Sequence, residues 1–169
     1  MLATTLTAQD KYKLMRTIGK LPMMAYGLGE DRLGGAKMNH IDTNILLKII
    51  DSTKNMYLVQ LSKNHSAYLE KIYAKEDTTA TMKPYYLTNS WSVKGVVDSF
   101  DVVSMSMEEK LPYKIWMETN PNKIMVQLYG VQSNTNWITQ LQTAKEVKSI
   151  YFNQTEDDVV TATIELNHN

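Results

Sequence analysis

Between residues 160 and 166 the side chains alternate strictly: Val160, Ala162, Ile164 and Leu166 against Thr161, Thr163 and Glu165. Successive side chains of a strand point to opposite faces, so a period of two predicts a half-buried β-strand and excludes a helix. Ile150, Tyr151 and Phe152 precede it across the polar stretch 153–158, which predicts a hairpin. Residues 113–118 and 123–129 form a second pair of strands. They are joined by Thr119-Asn120-Pro121-Asn122, where proline presets φ for a type I or II turn. Val93, Val96, Val97, Phe100, Val102, Val103 and Met105 make a strand-rich lead into this part, and residues 139–147 carry its one weak helical signal.

The earlier half is punctuated more closely. An apolar run at 21–26 is broken by Pro22 and followed by the glycine-rich loop 27–35, with Glu30, Asp31 and Arg32 at its centre. Residues 45–50 are apolar but too few for a helix, and 51–55 supply a turn. Tyr57, Val59 and Leu61 alternate with Leu58 and Gln60, Asn64-His65 turns the chain, and 66–73 reads as the return strand. Short strands at such spacing predict a small barrel. The start of the chain supports two readings. Thr7 and Asp10 ahead of Leu14-Met15 suit a helix cap, while the threonine-rich lead and Ile18 suit an extended segment. Residues 76–92 are polar at first and interrupted by Pro84, as a linker would be. The expected organisation is an N-terminal segment (1–20), a barrel (21–75), a linker (76–92) and a second β module (93–169).

The apolar fraction of 43% is enough for a core, and the eleven methionines read as core filler. Lysine plus arginine equals aspartate plus glutamate, 18 against 18, so no basic face for nucleic acid is expected. The absence of cysteine excludes disulfides, thiolate metal sites and cysteine nucleophiles. Residues 1–6 have neither a basic run nor a long apolar stretch, and no membrane span is expected.

Candidate chemistry is sparse. His40, His65 and His168 lack a partner at the spacing of H-E-x-x-H, which predicts loosely packed or solvated histidines and no metal site. The glycine-rich loop has no Gly-Lys-Ser/Thr after Gly34-Gly35 and no third glycine opening a helix. Arg32 reads as a solvated charge or a brace to Asp31. A guanidinium beside a groove also pairs with carboxylates, so both residues are ligand-binding candidates. The acid pairs Glu108-Glu109 and Asp157-Asp158 fall in polar turns, point apart and are expected to stay solvated. No G-x-S-x-G occurs, and no catalytic residue is nominated. Tyr85, Trp91 and Trp137 suit packing, or stacking on a sugar ring or peptide, and complete the set of binding candidates. Trp91, beside the linker, is expected to seal the junction of the two modules.

Two stretches together resemble a known family. Asp31 to Met38, Ile41-Asp42-Thr43, Tyr57 to Asn64 and Ala67-Tyr68 resemble a bacterial Src-homology-3-like module. It is the version near the front of N-acetylmuramoyl-L-alanine amidases of Bacteroidetes-type bacteria. Pro112-Tyr113, Val126 to Gly130, Ser133-Asn134-Thr135-Asn136-Trp137-Ile138-Thr139 and Asp157 to Leu166 resemble the AMIN-like module that precedes the amidase domain there. The resemblance implies a mainly β fold: a small Src-homology-3-like barrel, then an AMIN-like β-sandwich whose last strands fall beyond Leu166. With those strands missing, residues 159–166 are expected to leave a β edge open to self-association. It also implies an exported, non-catalytic wall-targeting region whose partner is peptidoglycan or an envelope protein. Zinc is expected only in a separate catalytic domain, because the family's aspartate-x-glycine-histidine-glycine-glycine-like motif has no counterpart here. The alternative is a structural or protein-interaction module of the envelope with no link to wall hydrolysis.

Overall fold

The structure is a computed structural model, which describes residues 12–28, 35–96 and 100–167. The chain is mainly β. Its first half gives β1 (Lys13–Thr17), β2 (Met23–Ala25), β3 (Lys37–His40), β4 (Leu46–Ser52), β5 (Met56–Gln60) and β6 (Ser66–Glu70). A single 3-10 turn at Lys71–Tyr73 leads into β7 (Ala74–Glu76). These strands form one antiparallel sheet in the order β3-β2-β6-β5-β4-β1-β7.

Met24, Leu47, Val59 and Leu69 are fully buried in one cluster with Met15, Met38, Ile41 and Ile45. Strands from both ends of the order feed that cluster, so the sheet curls around its own core. The ladder does not close, since β3 and β7 are not neighbours. A barrel needs a stagger that brings first and last strands side by side, and three-residue β7 reaches only β1. Of the two readings of the chain start, the extended one describes residues 13–17. β1 pairs with β4 and β7, and buried Thr17 donates its hydroxyl to the Asp42 carbonyl (2.7 Å) while accepting the Ile45 N–H (2.8 Å). Thr7 and Asp10 lie outside the described residues.

The second half comprises β8 (Tyr86–Val96), β9 (Phe100–Met107), β10 (Tyr113–Glu118), β11 (Lys123–Tyr129), β12 (Val131–Gln132), β13 (Ile138–Gln140), β14 (Val147–Glu156) and β15 (Val159–Leu166). One sheet runs β10-β11-β15-β14. The other is built on β8, which pairs antiparallel with β9 and, through short parallel pairings at residues 86–87 and 91–93, with β12 and β13. Val160, Ala162 and Ile164 of β15 pack against Trp91, Val93, Val103 and Met105 of the opposite sheet, which makes a sandwich.

The β10–β11 hairpin pairs Tyr113 with Leu128 through Glu118 with Lys123. Its turn differs from type I or II: Asn120 has φ 64° and the Asn120–Pro121 peptide is cis. In the β14–β15 hairpin the stretch expected to turn is mostly strand, and only Asp157 and Asp158 turn. Residues 139–147 are not helical. Ile138–Gln140 instead lies parallel to residues 91–93 of β8, where a tertiary partner outweighs a weak local preference. β15 is no edge either, because β11 and β14 pair with its two sides. The edges of that sheet are β10 and β14.

Strand-free connector spans only 77–85, since β8 occupies the later part of the expected linker. The halves are joined by more than this connector. The Leu46 N–H donates to the Lys110 carbonyl (2.8 Å), and Tyr129 and Val159 of the second half are buried in the first half's cluster. Trp91 does not seal that junction. It is 5% exposed inside the sandwich, and Tyr129 occupies the junction instead.

Candidate functional site

A β-bulge shapes one end of the sandwich. Thr88 pairs with Met107 and Trp91 with Met105, so β8 advances from 88 to 91 while β9 advances from 107 to 105. The extra residue breaks the alternation, and Asn89 and Ser90 both face solvent. The segment 133–137 lies alongside, held between the short parallel pairings of β12 and β13 with β8. Buried Thr88 anchors it by accepting the Asn134 N–H (3.0 Å) and bonding the Thr135 hydroxyl (2.9 Å). Thr135 also donates to the Asn89 carbonyl (2.9 Å), and the Gln154 side-chain carbonyl accepts the Ser133 N–H (2.8 Å).

These bonds fix an open groove of about 460 Å³ lined by Asn89, Ser90, Ser106, Asn134, Thr135, Asn136 and Trp137. Trp137 is 70% exposed, an unusual position for the largest apolar side chain. The lining carries amides, hydroxyls and an indole face, and no ionisable side chain. Such a set suits a neutral ligand with many hydroxyl or amide groups. Asparagine and serine exchange hydrogen bonds with it, and the indole covers an apolar ring face.

The other binding candidates are scattered. Tyr85 is exposed on the connector, away from the groove lining. Trp91 lies beneath the groove in the core and presents no open face. Asp31 and Arg32 lie outside the described residues.

Sequence reasoning missed the pairing of His65. Its Nε2 is 2.6 Å from Glu156 Oε1, its ring lies 5.4 Å from that of Tyr129, and Asn64 donates to the other Glu156 oxygen (2.9 Å). Bonds from His65 and then Asn64 hold the Glu156 carboxyl below its ordinary range. The acid pairs also find partners. Arg16 grips Glu109 through two 2.9 Å bonds and Asp77 through a third of 2.8 Å, so Glu109 is not simply solvated. Glu108 pairs with Lys83, and Asp158 accepts the Lys63 N–H (2.8 Å). None of these contacts is local in sequence, so no spacing rule could reveal them.

His40 bonds the Leu21 carbonyl (2.8 Å), and His168 lies outside the described residues. Among the described residues no three His, Asp or Glu side chains converge as metal ligands. No helix among them is long and apolar enough to cross a membrane. No family model, no curated protein and no solved structure matches this chain.

Proposed function

We propose that this chain is a non-catalytic, wall-directed binding region, exported to the cell envelope, and that the Trp137 groove is its glycan-binding face. The observation that carries the reading is an exposed indole beside a wholly uncharged lining of asparagines and hydroxyls. Wall glycans offer hydroxyls, acetamido groups and apolar ring faces, which that lining complements. The resemblance to the forepart of N-acetylmuramoyl-L-alanine amidases supports the same target. In that reading zinc-dependent cleavage belongs to a separate domain, and these residues bring it to its substrate.

Co-sedimentation with purified peptidoglycan, with N-acetylglucosamine oligomers as competitor, tests the proposal. Trp137→Ala should weaken binding about threefold to tenfold, the range expected for one aromatic contact, without lowering stability. Equal sedimentation of variant and wild type would remove the groove from the function. A second reading, a protein-interaction module of the envelope, draws on β10. This edge strand exposes Ile115 and Met117, and edges of this kind take an added strand. Failure to sediment with the wall under any condition would favour it.

A further inference from the structure

Edge strands invite pairing with another chain unless bulges, proline or charge blunt them. The two edges of the β10-β11-β15-β14 sheet differ in this respect. β14 has two register shifts against β15, between Val147 and Ser149 and between Gln154 and Glu156. β10 has no proline, pairs with β11 in unbroken register, and has no other strand neighbour among the described residues. Its Ile115 and Met117 sit opposite Val126 and Ile124, on the face that builds the sandwich core, yet they are 45% and 63% exposed.

The hydrogen bonds show which backbone groups of β10 are free. The Tyr129 N–H donates to the Pro112 carbonyl (3.1 Å), so Pro112 turns its carbonyl towards β11. Successive residues of a strand point their backbone groups to alternate sides. Residues 114, 116 and 118 therefore bond β11, while 113, 115 and 117 point outward. Asn39 agrees with this phase, since its Nδ2 donates to the Tyr113 carbonyl (3.2 Å), which β11 leaves unused. The open stretch of the edge is that of Ile115 and Met117.

This strand is complementary to its own reverse. Two copies laid antiparallel about Trp116 set Ile115 opposite Met117 and Lys114 opposite Glu118, each pair occurring twice. The outward groups of 115 and 117 then exchange hydrogen bonds with the other copy. The two Trp116 side chains meet as a non-hydrogen-bonded pair, where cross-strand approach is closest. Neither Lys114 nor Glu118 has an ion pair among the described residues. Both instead flank Trp116: the Lys114 ammonium lies 4.7 Å from its ring centre, and Glu118 accepts its Nε1–H (3.3 Å). Registers centred on 115 or 117 keep the backbone phase but set Trp116 against one of these charges. Those centred on 114 or 118 oppose like charges, which is destabilising.

We propose that two copies of this chain associate through β10, antiparallel and two-fold symmetric about Trp116, joining two four-stranded sheets into one. The contact does not rest on the glycan reading, and it fills the edge that the protein-interaction reading leaves to a foreign strand. A single strand pair buries less than the roughly 1,200 Å² of a standard interface, so the dimer should form reversibly at micromolar concentration.

Sedimentation equilibrium of the full chain tests this. The wild type should pass from monomer to dimer as concentration rises through the micromolar range. Glu118→Lys opposes two lysines and should weaken the dimer at least about tenfold. Adding Lys114→Glu restores opposite charges and should recover association to within about threefold of the wild type. The chain has no cysteine, so one introduced thiol reports the register. Trp116→Cys faces its own copy and should oxidise readily to a disulfide dimer. Ile115→Cys, placed opposite Met117, should do so at least about tenfold more slowly. A wild type that stays monomeric at every concentration would leave the edge to a foreign strand and overturn the proposal. So would a charge swap that fails to restore the dimer, or equal cross-linking of the two thiols. Trp137→Ala should associate like the wild type, so this contact and the glycan reading stand or fall separately.

Discussion

Replacing Tyr129 with alanine removes a ring that belongs to β11 but is buried, at 2% exposure, in the core of the other half. Truncating a buried aromatic costs about 3–5 kcal/mol, from lost transfer free energy plus the cavity left behind. The hydroxyl contributes little of this. It donates one bond to Gln127 Oε1 (2.9 Å), and Tyr129→Phe should therefore cost only about 1 kcal/mol. For a chain of this size each kcal/mol lowers the melting temperature by about 2–4 °C, so alanine should cost roughly 10 °C and phenylalanine about 3 °C. Trp91, Trp116 and Trp137 are all in the second half, so tryptophan fluorescence follows that half while far-ultraviolet circular dichroism follows both. If Tyr129 couples the halves, guanidinium midpoints from the two probes should coincide in the wild type and move together in the variant. Fluorescence and dichroism midpoints that already differ in the wild type, where Tyr129 is present, would refute the coupling.

Alkaline pH should separate the same residue from its neighbours. Burial, with Tyr26 and Glu156 adding to it, pushes the Tyr129 hydroxyl from about 10 up to about 12. Its stabilising contribution is complete below pH 10 and lost as pH rises towards 12, because the unfolded tyrosine ionises first. Tyr129→Phe should flatten part of that loss in pH-dependent melting, with Tyr113, also raised by burial, supplying the remainder. Gly95→Ala should be far more damaging than an ordinary strand substitution. A Cβ there would lie 2.0 Å from the Thr143 carbonyl oxygen and 2.7 Å from its carbon, both backbone atoms. Overpacking of this kind costs about 1–3 kcal/mol. The Leu141 N–H, bonded to the Val93 carbonyl (2.9 Å), should lose hydrogen-exchange protection, and unchanged protection would contradict so close an approach.

Local pattern alone identifies much of the β structure. The alternation at 160–166 and the Asn-Pro turn at 119–122 each mark a real hairpin partner, because side-chain period and turn chemistry act over neighbouring residues. The segment 133–137 is legible as a polar run ending in an aromatic, but Trp137 there suits packing as well as stacking, and only the structure shows it exposed. The groove they border is not legible. It depends on a bulge in β8 that aims both Asn89 and Ser90 outward, and bulges follow from pairing register, which no single strand encodes. Trp91 shows the same limit. Its neighbourhood reads as linker, yet strand β8 carries it into the sandwich, and Tyr129 takes the junction. β15 reads as an open edge only if β11 and β14 are not known to flank it. The His65–Glu156 pair, the Arg16 clamp and the Lys63–Asp158 bond join residues more than sixty positions apart. Periodicity and turn signals report on a few neighbouring residues. Contacts across such separations come into being only when distant strands pack, and the Trp137 groove arises inside the second half, where residues 133–137 settle against the bulged β8.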